Sequence, residues 1–386
     1  MPSSTTLNPE WPLLLAACSA IPGPGGETSD LVISLLREPI RWNALIDLAD
    51  QHGVSSLLYR NLSGYKISAD EIPSLKQRYQ TNIHKTLLVA REMIRVLDRL
   101  SALGIAAMPY KGVALAESMY GDMALRQSGD IDLFIRAQDF VGIKSAVAEL
   151  GYAPHMPLSP TEERAYLISG YECAFDSDAG RNLLEVQWAL QPRFYAVDLT
   201  VESLFRRAVS VTVAGREMKM PSPEDLLLIL SVHAAKHVWE RLIWLCDIAQ
   251  IIKLPNLNWP WIADQARILG VARILHVTLL LANRLLEATI PASVESATRG
   301  DHTAFTLADE IYAQITEDAK CDVESTRYFR LMLRLRERRL DRMKFLQRLV
   351  FTPGPSEWKA IRLPAPMFPL YRLVRLSRLA ARLARA

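Results

Sequence analysis

The sequence has few cysteines, few long apolar runs and little net charge of either sign. Its four cysteines lie far apart and form no C-x-x-C pair, which argues against a disulfide framework or a zinc ribbon and favours reduced, buried thiols. The net charge of +3 does not by itself indicate a nucleic-acid-binding protein. The apolar run from Trp11 to Ile21 is short, and no basic segment precedes it. We therefore expect neither a signal peptide nor a transmembrane helix, and predict a cytoplasmic protein.

The charge is unevenly distributed along the chain. From Asp322 to the C-terminus there are 16 Lys and Arg against 5 Asp and Glu, whereas the remainder has 29 against 37. A basic tail of this kind indicates a docking surface for a partner, a lipid face or a polyanion. The stretch from Phe368 to Ala386 interleaves arginines with leucines and could lie on an anionic membrane. We favour packing of its leucines on the body with the arginines in solvent. Nucleic acid ranks lower because aromatic residues are sparse there.

Half of the residues are hydrophobic, which is enough for a large core shared by several subdomains. Helical patterns dominate both ends of the chain and surround a section with strand patterns, so we predict the α+β class. The expected subdomains are helical over 1–103, α/β over 104–220, helical over 221–320, and basic and helical over 321–386.

Hydrophobic periodicity gives the expected elements. In the helical parts it predicts two helices over 29–63, a long helix over 75–103, helices over 223–238, 240–253, 259–269 and 271–287, a loop over 291–305 and an Arg-rich helix over 326–350. In the long helix one face should hold Leu87, Leu88, Met93, Val96, Leu97 and Leu100. In the α/β part it predicts strands over 105–110, 129–136, 171–175 and 183–190, with helices over 113–120 and 137–150.

Two aspartates stand two positions apart on the strand predicted for residues 129–136, in the sequence GDIDLFIR. The period of two places Asp130 and Asp132 on one face, where their repulsion is tolerable if a divalent cation lies between them. Glu185, on a neighbouring predicted strand, is of the right type to complete the site. An exposed strand face is the alternative interpretation. The apolar residues around the pair and the preceding Gly129 favour a site at the edge of the core.

Lys111 and Gly112 end one predicted strand and open a helix. Free N–H groups at a helix N-terminus bind phosphate, glycine allows close approach, and Lys111 could add a charge. A turn glycine beside a surface lysine is nearly as good an interpretation. Arg126 could neutralise a triphosphate or pair with an acid that fixes its loop.

His233 and His237 are four residues apart on a predicted helix and share a face. A zinc pair is disfavoured because the H-E-x-x-H pattern is absent. Contact between the helical subdomain and the α/β core is favoured, and a third interpretation places these residues, with Lys236, in a nucleotide cleft. Asp247, within an apolar helix, should be a buried acid paired with an Arg or His.

Three segments in order carry a family resemblance: Pro109 to Tyr120 (PYKGVALAESMY), Leu125-Arg126, and Gly129 to Phe134 (GDIDLF). They resemble the bacterial uncharacterised nucleotidyltransferases of the DNA polymerase β-like superfamily. The similarity continues through Glu185-Val-Gln-Trp188, His233 to His237 and Trp244 to Asp247, and covers about residues 80 to 255. One departure is that Lys111-Gly112 replaces the superfamily's Gly-Ser phosphate signature.

The resemblance implies a small mixed sheet forming a nucleotidyltransferase core embedded in helical subdomains. It implies Asp130, Asp132 and Glu185 as catalytic metal ligands for two Mg²⁺ ions, with Mn²⁺ as an alternative. The nucleotide-binding candidates are Lys111, Gly112, Arg126, Gly129, His233 and His237. Members with a basic, proline-interrupted C-terminus are associated with gene clusters for peptide natural products of the lasso type or for polysaccharides.

We therefore expect an enzyme that transfers a nucleoside monophosphate from a nucleoside triphosphate such as ATP to a hydroxyl or phosphate of an acceptor, for example a peptide or a saccharide. Glu185 could assist deprotonation of the acceptor hydroxyl. Two alternatives stay open: a catalytically degenerate nucleotide-binding scaffold, and a phosphoryl transferase that uses the same metal site.

Overall fold

The computed structural model describes residues 10–19, 27–65, 72–177, 180–317, 321–322 and 325–384. The N-terminal part is helical. Its helices are α1 (Glu10–Ser19), α2 (Glu27–Leu35), α3 (Trp42–Gln51), α4 (Ser55–Leu62) and α5 (Ile72–Ala102). Residues 29–63 thus form three helices where the periodicity predicted two. Pro39 follows α2 and cannot continue a helix, and Gly53, with φ of +71°, ends α3 in a left-handed turn.

The α/β part follows α5. It contains β1 (Ala107–Pro109), α6 (Gly112–Tyr120), β2 (Ile131–Ile135), α7 (Phe140–Ala148), β3 (Tyr152–Pro154), α8 (Pro160–Ser169), β4 (Glu172–Ser177), β5 (Gly180–Gln187), α9 (Val201–Arg207), β6 (Val209–Val213) and β7 (Arg216–Met220). The elements β3, α8, α9, β6 and β7 were not predicted. The sequence of β6, Val-Ser-Val-Thr-Val, does alternate apolar and polar residues, which is a strand signal.

The first five strands form one sheet in the order β1-β2-β5-β4-β3. The central pair, β2 and β5, is parallel, and the other pairs are antiparallel. This is the small mixed sheet within a mainly helical chain that the sequence predicted. Every residue of β2 is buried, because helices cover the sheet and its apolar side chains fill the core. β6 and β7 form a separate hairpin.

The C-terminal half is helical again. Its helices are α10 (Pro223–Lys236), α11 (Leu242–Ile252), α12 (Trp259–Leu269), α13 (Ala272–Leu286), α14 (Ala292–Arg299), α15 (His302–Thr316), α16 (Thr326–Arg334), α17 (Arg339–Phe351), α18 (Pro355–Ala360) and α19 (Tyr371–Ala384). α10 begins as its sequence indicates, since the Ser222 hydroxyl accepts a hydrogen bond from the Asp225 N–H at 3.2 Å and Pro223 lies in the first turn. α10, α11 and α13 pack against one another, and α11 also packs on α6.

Two predictions for this half were wrong. Residues 291–305 are not a loop but contain α14 and the start of α15, where the Asp301 carboxylate caps the Ala304 N–H at 3.1 Å. The Arg-rich stretch 326–350 is two helices. They are separated near Arg336, whose buried guanidinium donates to the Tyr195 carbonyl at 2.6 Å. No helix in the described part of the chain combines the length and apolar character needed to cross a bilayer.

The packing of α19 also differs from the prediction. Leu373 and Leu376 are exposed, whereas Tyr371 is buried. The Arg375 guanidinium faces the body, 3.3 Å from the Glu357 carboxylate and over the Phe194 ring. A charge-assisted contact with a buried acid thus orients the helix and leaves two leucines in solvent. The side chains after residue 381 lie outside the described part.

Candidate functional site

Three carboxylates converge at the parallel pair of strands. Asp130 directly precedes β2, Asp132 lies on it, and Glu185 lies on β5 with its Cα in register with that of Asp132. Each carboxylate offers an oxygen within 4.8 Å of the others. The sequence predicted this grouping from the two-residue period and from the type of Glu185. Three acidic oxygens at this spacing form a hard-ligand cluster of the kind that binds divalent cations.

When no cation is bound, burial makes the negatively charged forms of Asp132 and Glu185 unfavourable. Desolvation raises the pKa of Asp132 to about 6, against the opposing effect of Lys111 and with a contribution from Asp130. Desolvation, together with Asp132 and Glu172, raises the pKa of Glu185 to about 8. Like charges held close together in a partly dry site favour protonation or a bound cation. Electrostatics and geometry therefore both favour a cation here.

Lys111 contributes positive charge at the edge of the cluster. Its ammonium lies 3.6 Å from Asp132 Oδ1 and 4.7 Å from the centre of the Tyr110 ring. Gly112, the first residue of α6, has φ of +59°. A Cβ there would meet the Ser128 hydroxyl at 3.1 Å and the Asp130 carbonyl at 3.2 Å. The missing side chain lets the start of α6 pack against the Asp130 segment.

The residues before Asp130 orient its carboxylate. The Ser128 hydroxyl donates to Asp130 Oδ1 at 3.1 Å. Gly129 lines the cleft, and a Cβ on it would approach the Lys85 ammonium at 2.8 Å. A side chain at position 129 would thus require the Lys85 side chain to move.

Arg126 pairs with an acid that fixes its loop, one of the two uses that its position suggested. Its Nε lies 3.0 Å from Asp247 Oδ2 on α11, and the Tyr120 hydroxyl donates to Asp247 Oδ1 at 2.8 Å. All three side chains are buried. This confirms the expected pairing of Asp247 with an arginine. The network joins α6, the loop before β2 and α11.

The wall formed by α10 and α11 carries imidazole, ammonium and indole groups. The rings of His233 and His237 lie 4.9 Å apart, and each lies within 5.3 Å of the Trp244 ring. Desolvation lowers the pKa of both histidines, that of His237 to about 3, so both are neutral near pH 7. Desolvation also lowers the pKa of Lys236. The wall presents flat rings and the half-buried ammonium of Lys236 to the cleft.

A hydrogen-bonded chain that the sequence did not single out connects this wall with the sheet. The Lys236 ammonium donates to the Tyr171 hydroxyl at 2.6 Å, and that hydroxyl donates to Glu172. Gln187 donates to Glu172 at 3.3 Å and accepts from the Tyr110 hydroxyl at 2.8 Å. One residue of this chain, Gln187, could have been predicted from the sequence Glu-Val-Gln, because it lies on the same strand face as Glu185.

Most of these groups line one cleft with a cavity volume of about 380 Å³. Gly112, Tyr120 and Asp247 are not among the residues that line it. The acids lie on the sheet side, and Lys236, His237 and Trp244 lie on the helical side. Among the described residues, this acidic trio forms the one group of three or more His, Cys, Asp or Glu whose ligand atoms converge enough to hold a metal. The cleft can therefore accept a molecule that carries both a polyanionic part and a flat ring.

The model of a protein family described as "Uncharacterised nucleotidyltransferase" matches residues 38–287. No curated protein matches the chain. Among solved structures, the chain is similar to the crystal structure of an antigenic nucleotidyltransferase-like protein from Paracoccidioides brasiliensis. The identity is 15%, and the match covers 55% of this chain and 94% of that one, with a TM-score of 0.32. A TM-score this low supports no conclusion about activity.

Proposed function

This chain belongs to the uncharacterised nucleotidyltransferase family, and from that premise we propose that it transfers a nucleoside monophosphate from a nucleoside triphosphate to a hydroxyl or phosphate of an acceptor. The observation that carries the proposal is the convergence of Asp130, Asp132 and Glu185 within 4.8 Å, in a cleft whose other side holds basic and aromatic groups.

The cluster fits Mg²⁺ by the chemistry of its donors. All three are carboxylates with ligand oxygens within 4.8 Å of one another, and burial raises the pKa of two of them, so that a bound cation would stabilise their ionised form. Asp130, Asp132 and Glu185 would hold the metal, with Mn²⁺ as the alternative. When bound, the metal would neutralise charge on the triphosphate as the acceptor oxygen bonds to the α-phosphorus and the bond from that phosphorus to the departing pyrophosphate breaks.

The basic groups of the cleft fit the phosphate chain. Lys111 lies beside the acids, and Lys236 lies on the opposite wall. A phosphate group between these ammonium groups would gain charge-assisted hydrogen bonds in a partly dry site. The Arg126 guanidinium holds Asp247. We therefore assign Arg126 the positioning of the Asp130 loop and assign phosphate binding to the two lysines.

The ring cluster fits the nucleoside. His233 and His237, neutral at pH 7 because burial lowers the pKa of each, can donate and accept hydrogen bonds without repelling a base. Trp244 offers an indole face on the same wall for stacking. Gly129 lines the same cleft without a side chain, and Gly112 lets the start of α6 pack against the Asp130 segment.

We assign Glu185, ionised when metal is bound beside it, the role of accepting the proton of the acceptor hydroxyl. Its carboxylate borders the cleft beside Asp132, so an acceptor oxygen bound at the acids would lie within reach of it. An acceptor from peptide natural-product or polysaccharide biosynthesis, with a free hydroxyl or phosphate, fits this reaction. Phosphoryl transfer at the same acids is the competing reaction, and a degenerate binding scaffold is the competing role.

The test distinguishes nucleotidyl transfer, phosphoryl transfer and nucleotide binding alone by following a radioactive label placed on one phosphate of the nucleoside triphosphate. The protein is incubated with Mg²⁺, a small-molecule and peptide extract, and nucleoside triphosphate labelled at either the α- or the γ-phosphate. We expect label to reach the acceptor from the α position only, and not with Asp130→Asn. Label transferred from the γ position would establish phosphoryl transfer. Nucleotide binding without any transfer would establish a scaffold.

A further inference from the structure

Exposed apolar side chains are concentrated at the C-terminal end of the chain. Of the 18 large hydrophobic residues that are exposed in the described ranges, nine lie between positions 340 and 376. They are Leu340, Met343, Leu346, Phe351, Ile361, Met367, Leu370, Leu373 and Leu376. Single exposed apolar residues are ordinary on a protein surface, but a concentration of this kind marks an interaction site.

These residues form rows along their helices. Met367, Leu370, Leu373 and Leu376 recur every three positions through the 3₁₀ segment Ala365–Leu370 and α19. Leu340, Met343 and Leu346 recur in the same way on α17, which packs against α19. The spacing places each row along one side of its helix.

The exposed charges of the same segment are mainly positive. Its two acids are Asp341 and Glu357. The Asp341 carboxylate lies 2.6 Å from Arg338, with its side chain 17% exposed. Glu357 is 3% exposed, and its carboxylate lies 3.3 Å from Arg375 and 3.5 Å from Arg378. The exposed charged side chains of residues 359–372 are Lys359, Arg362 and Arg372. The outer face is thus basic and apolar.

We propose that α17, α18 and α19, with the segment between them, form a docking surface for the anionic phospholipid headgroups of a bilayer. The apolar rows would enter the boundary between headgroups and acyl chains, and the arginines and lysines would bind lipid phosphates. A nucleic acid would match the charge but would leave the leucine and methionine rows in water. The inference rests on this surface alone and is independent of the reaction in the cleft.

The test is flotation of the full-length protein with lipid vesicles. We expect binding to vesicles that contain phosphatidylglycerol, weak binding to pure phosphatidylcholine, and release by high salt. Leu373→Ser combined with Leu376→Ser should weaken binding about tenfold or more, because both apolar side chains leave the interface. The matched control is Leu87→Ser with Leu88→Ser, two exposed leucines on α5, which should bind as the wild type does.

A second variant guards against an effect on folding. Arg362→Glu with Arg372→Glu changes exposed charges only, and loss of each cation should weaken binding about fivefold. Equal binding to charged and neutral vesicles by every variant would overturn the proposal. So would absence of flotation by the wild type, or retention by DNA without flotation.

Discussion

Asp132 and Glu185 stand side by side on the parallel strands β2 and β5, with Cα atoms in register, and Asp130 adds a third carboxylate within 4.8 Å of both. Burial disfavours a negative charge on Asp132 and on Glu185 and raises the pKa of both. A cation would offset this effect and would therefore bind the folded protein in preference to the unfolded chain. Metal binding at these acids should therefore be measurable as a rise in the free energy of unfolding.

If the proposed site binds metal, Mg²⁺ with a nucleoside triphosphate should raise the Tm of the wild type, and Glu185→Gln should abolish that rise. Without metal the variant should be at least as stable as the wild type, because one of the clustered carboxylates is neutral. Transfer from the α-phosphate should fall about a thousandfold, the effect of losing several kcal/mol of charge stabilisation. Thermal denaturation with and without Mg²⁺ measures the first effect, and label transfer measures the last.

Asp176→Asn is the control for this variant, since Asp176 lies on β4 of the same sheet and faces His155 at its exposed edge. It should keep the response to Mg²⁺. A Glu185→Gln protein that still gained stability from Mg²⁺ would place the metal elsewhere.

The sequence predicts the acidic site well because the information is local. Two acids two positions apart on a strand must share a face, whatever the rest of the fold does. The position of Glu185 beside Asp132 needs the register of two strands, which the spacing does not contain. Glu172 was missed for the same reason. It reaches the cleft through the antiparallel pairing of β4 with β5.

Helical periodicity has a similar limit. It predicts correctly that Met93, Val96 and Leu100 lie on the buried face of α5, but it includes Leu87 and Leu88, which are exposed. Val89 and Ala90, at the same level of the helix, are buried, so the face is covered there. Leu87 and Leu88 point away from it, because at about 3.6 residues per turn each lies roughly a third of a turn or more round the helix from Met93. The partners Arg126 and Asp247, 121 residues apart, are likewise joined by the fold alone.

Asp247→Ala should destabilise the protein by about 3–5 kcal/mol, because it leaves the buried Arg126 guanidinium without a counter-charge. The Tyr120 hydroxyl would lose its acceptor as well. Urea denaturation measures the free energy of unfolding. The control is Glu295→Gln, which removes the exposed helical pair with Arg299 and should cost about 0.3–0.5 kcal/mol. Similar losses in the two variants would show that the buried network contributes no more than a surface pair.

Gly112→Ala should affect both stability and activity. The backbone there has φ of +59°, and the new Cβ would approach the Asp130 carbonyl at 3.2 Å. Gly121→Ala is a matched control, because Gly121 has φ of +69° but no atom within 4 Å of the position that a Cβ would take. We expect a loss of about 1–2 kcal/mol for Gly121→Ala from backbone strain alone. Gly112→Ala should lose more, and should also lower the rate of nucleotide transfer.

Activity measured at equal folded fraction separates the two effects. If Gly112→Ala reduced stability no more than Gly121→Ala and transferred nucleotide at the wild-type rate, the contact between α6 and the Asp130 segment would have no functional importance.

Stability should fall in acid because of the two histidines of the cleft wall. Burial first, and then the charges of Lys236, Lys111 and Arg241, lower the pKa of His237 to about 3, and burial also lowers that of His233. In the unfolded chain each would bind a proton near pH 6.5. Between pH 6.5 and 3 the unfolded state therefore holds more protons than the folded state, and each histidine reduces the free energy of unfolding by up to about 1.4 kcal/mol per pH unit as the pH falls.

Urea denaturation at pH 7, 6 and 5 should show a smaller loss of unfolding free energy for His237→Gln than for the wild type. The loss should be unchanged for His302→Gln, at an exposed position. An equal slope in His237→Gln and the wild type would mean that His237 binds its proton in the folded protein as readily as in the unfolded chain, and the neutral ring assigned to the nucleoside wall would be wrong.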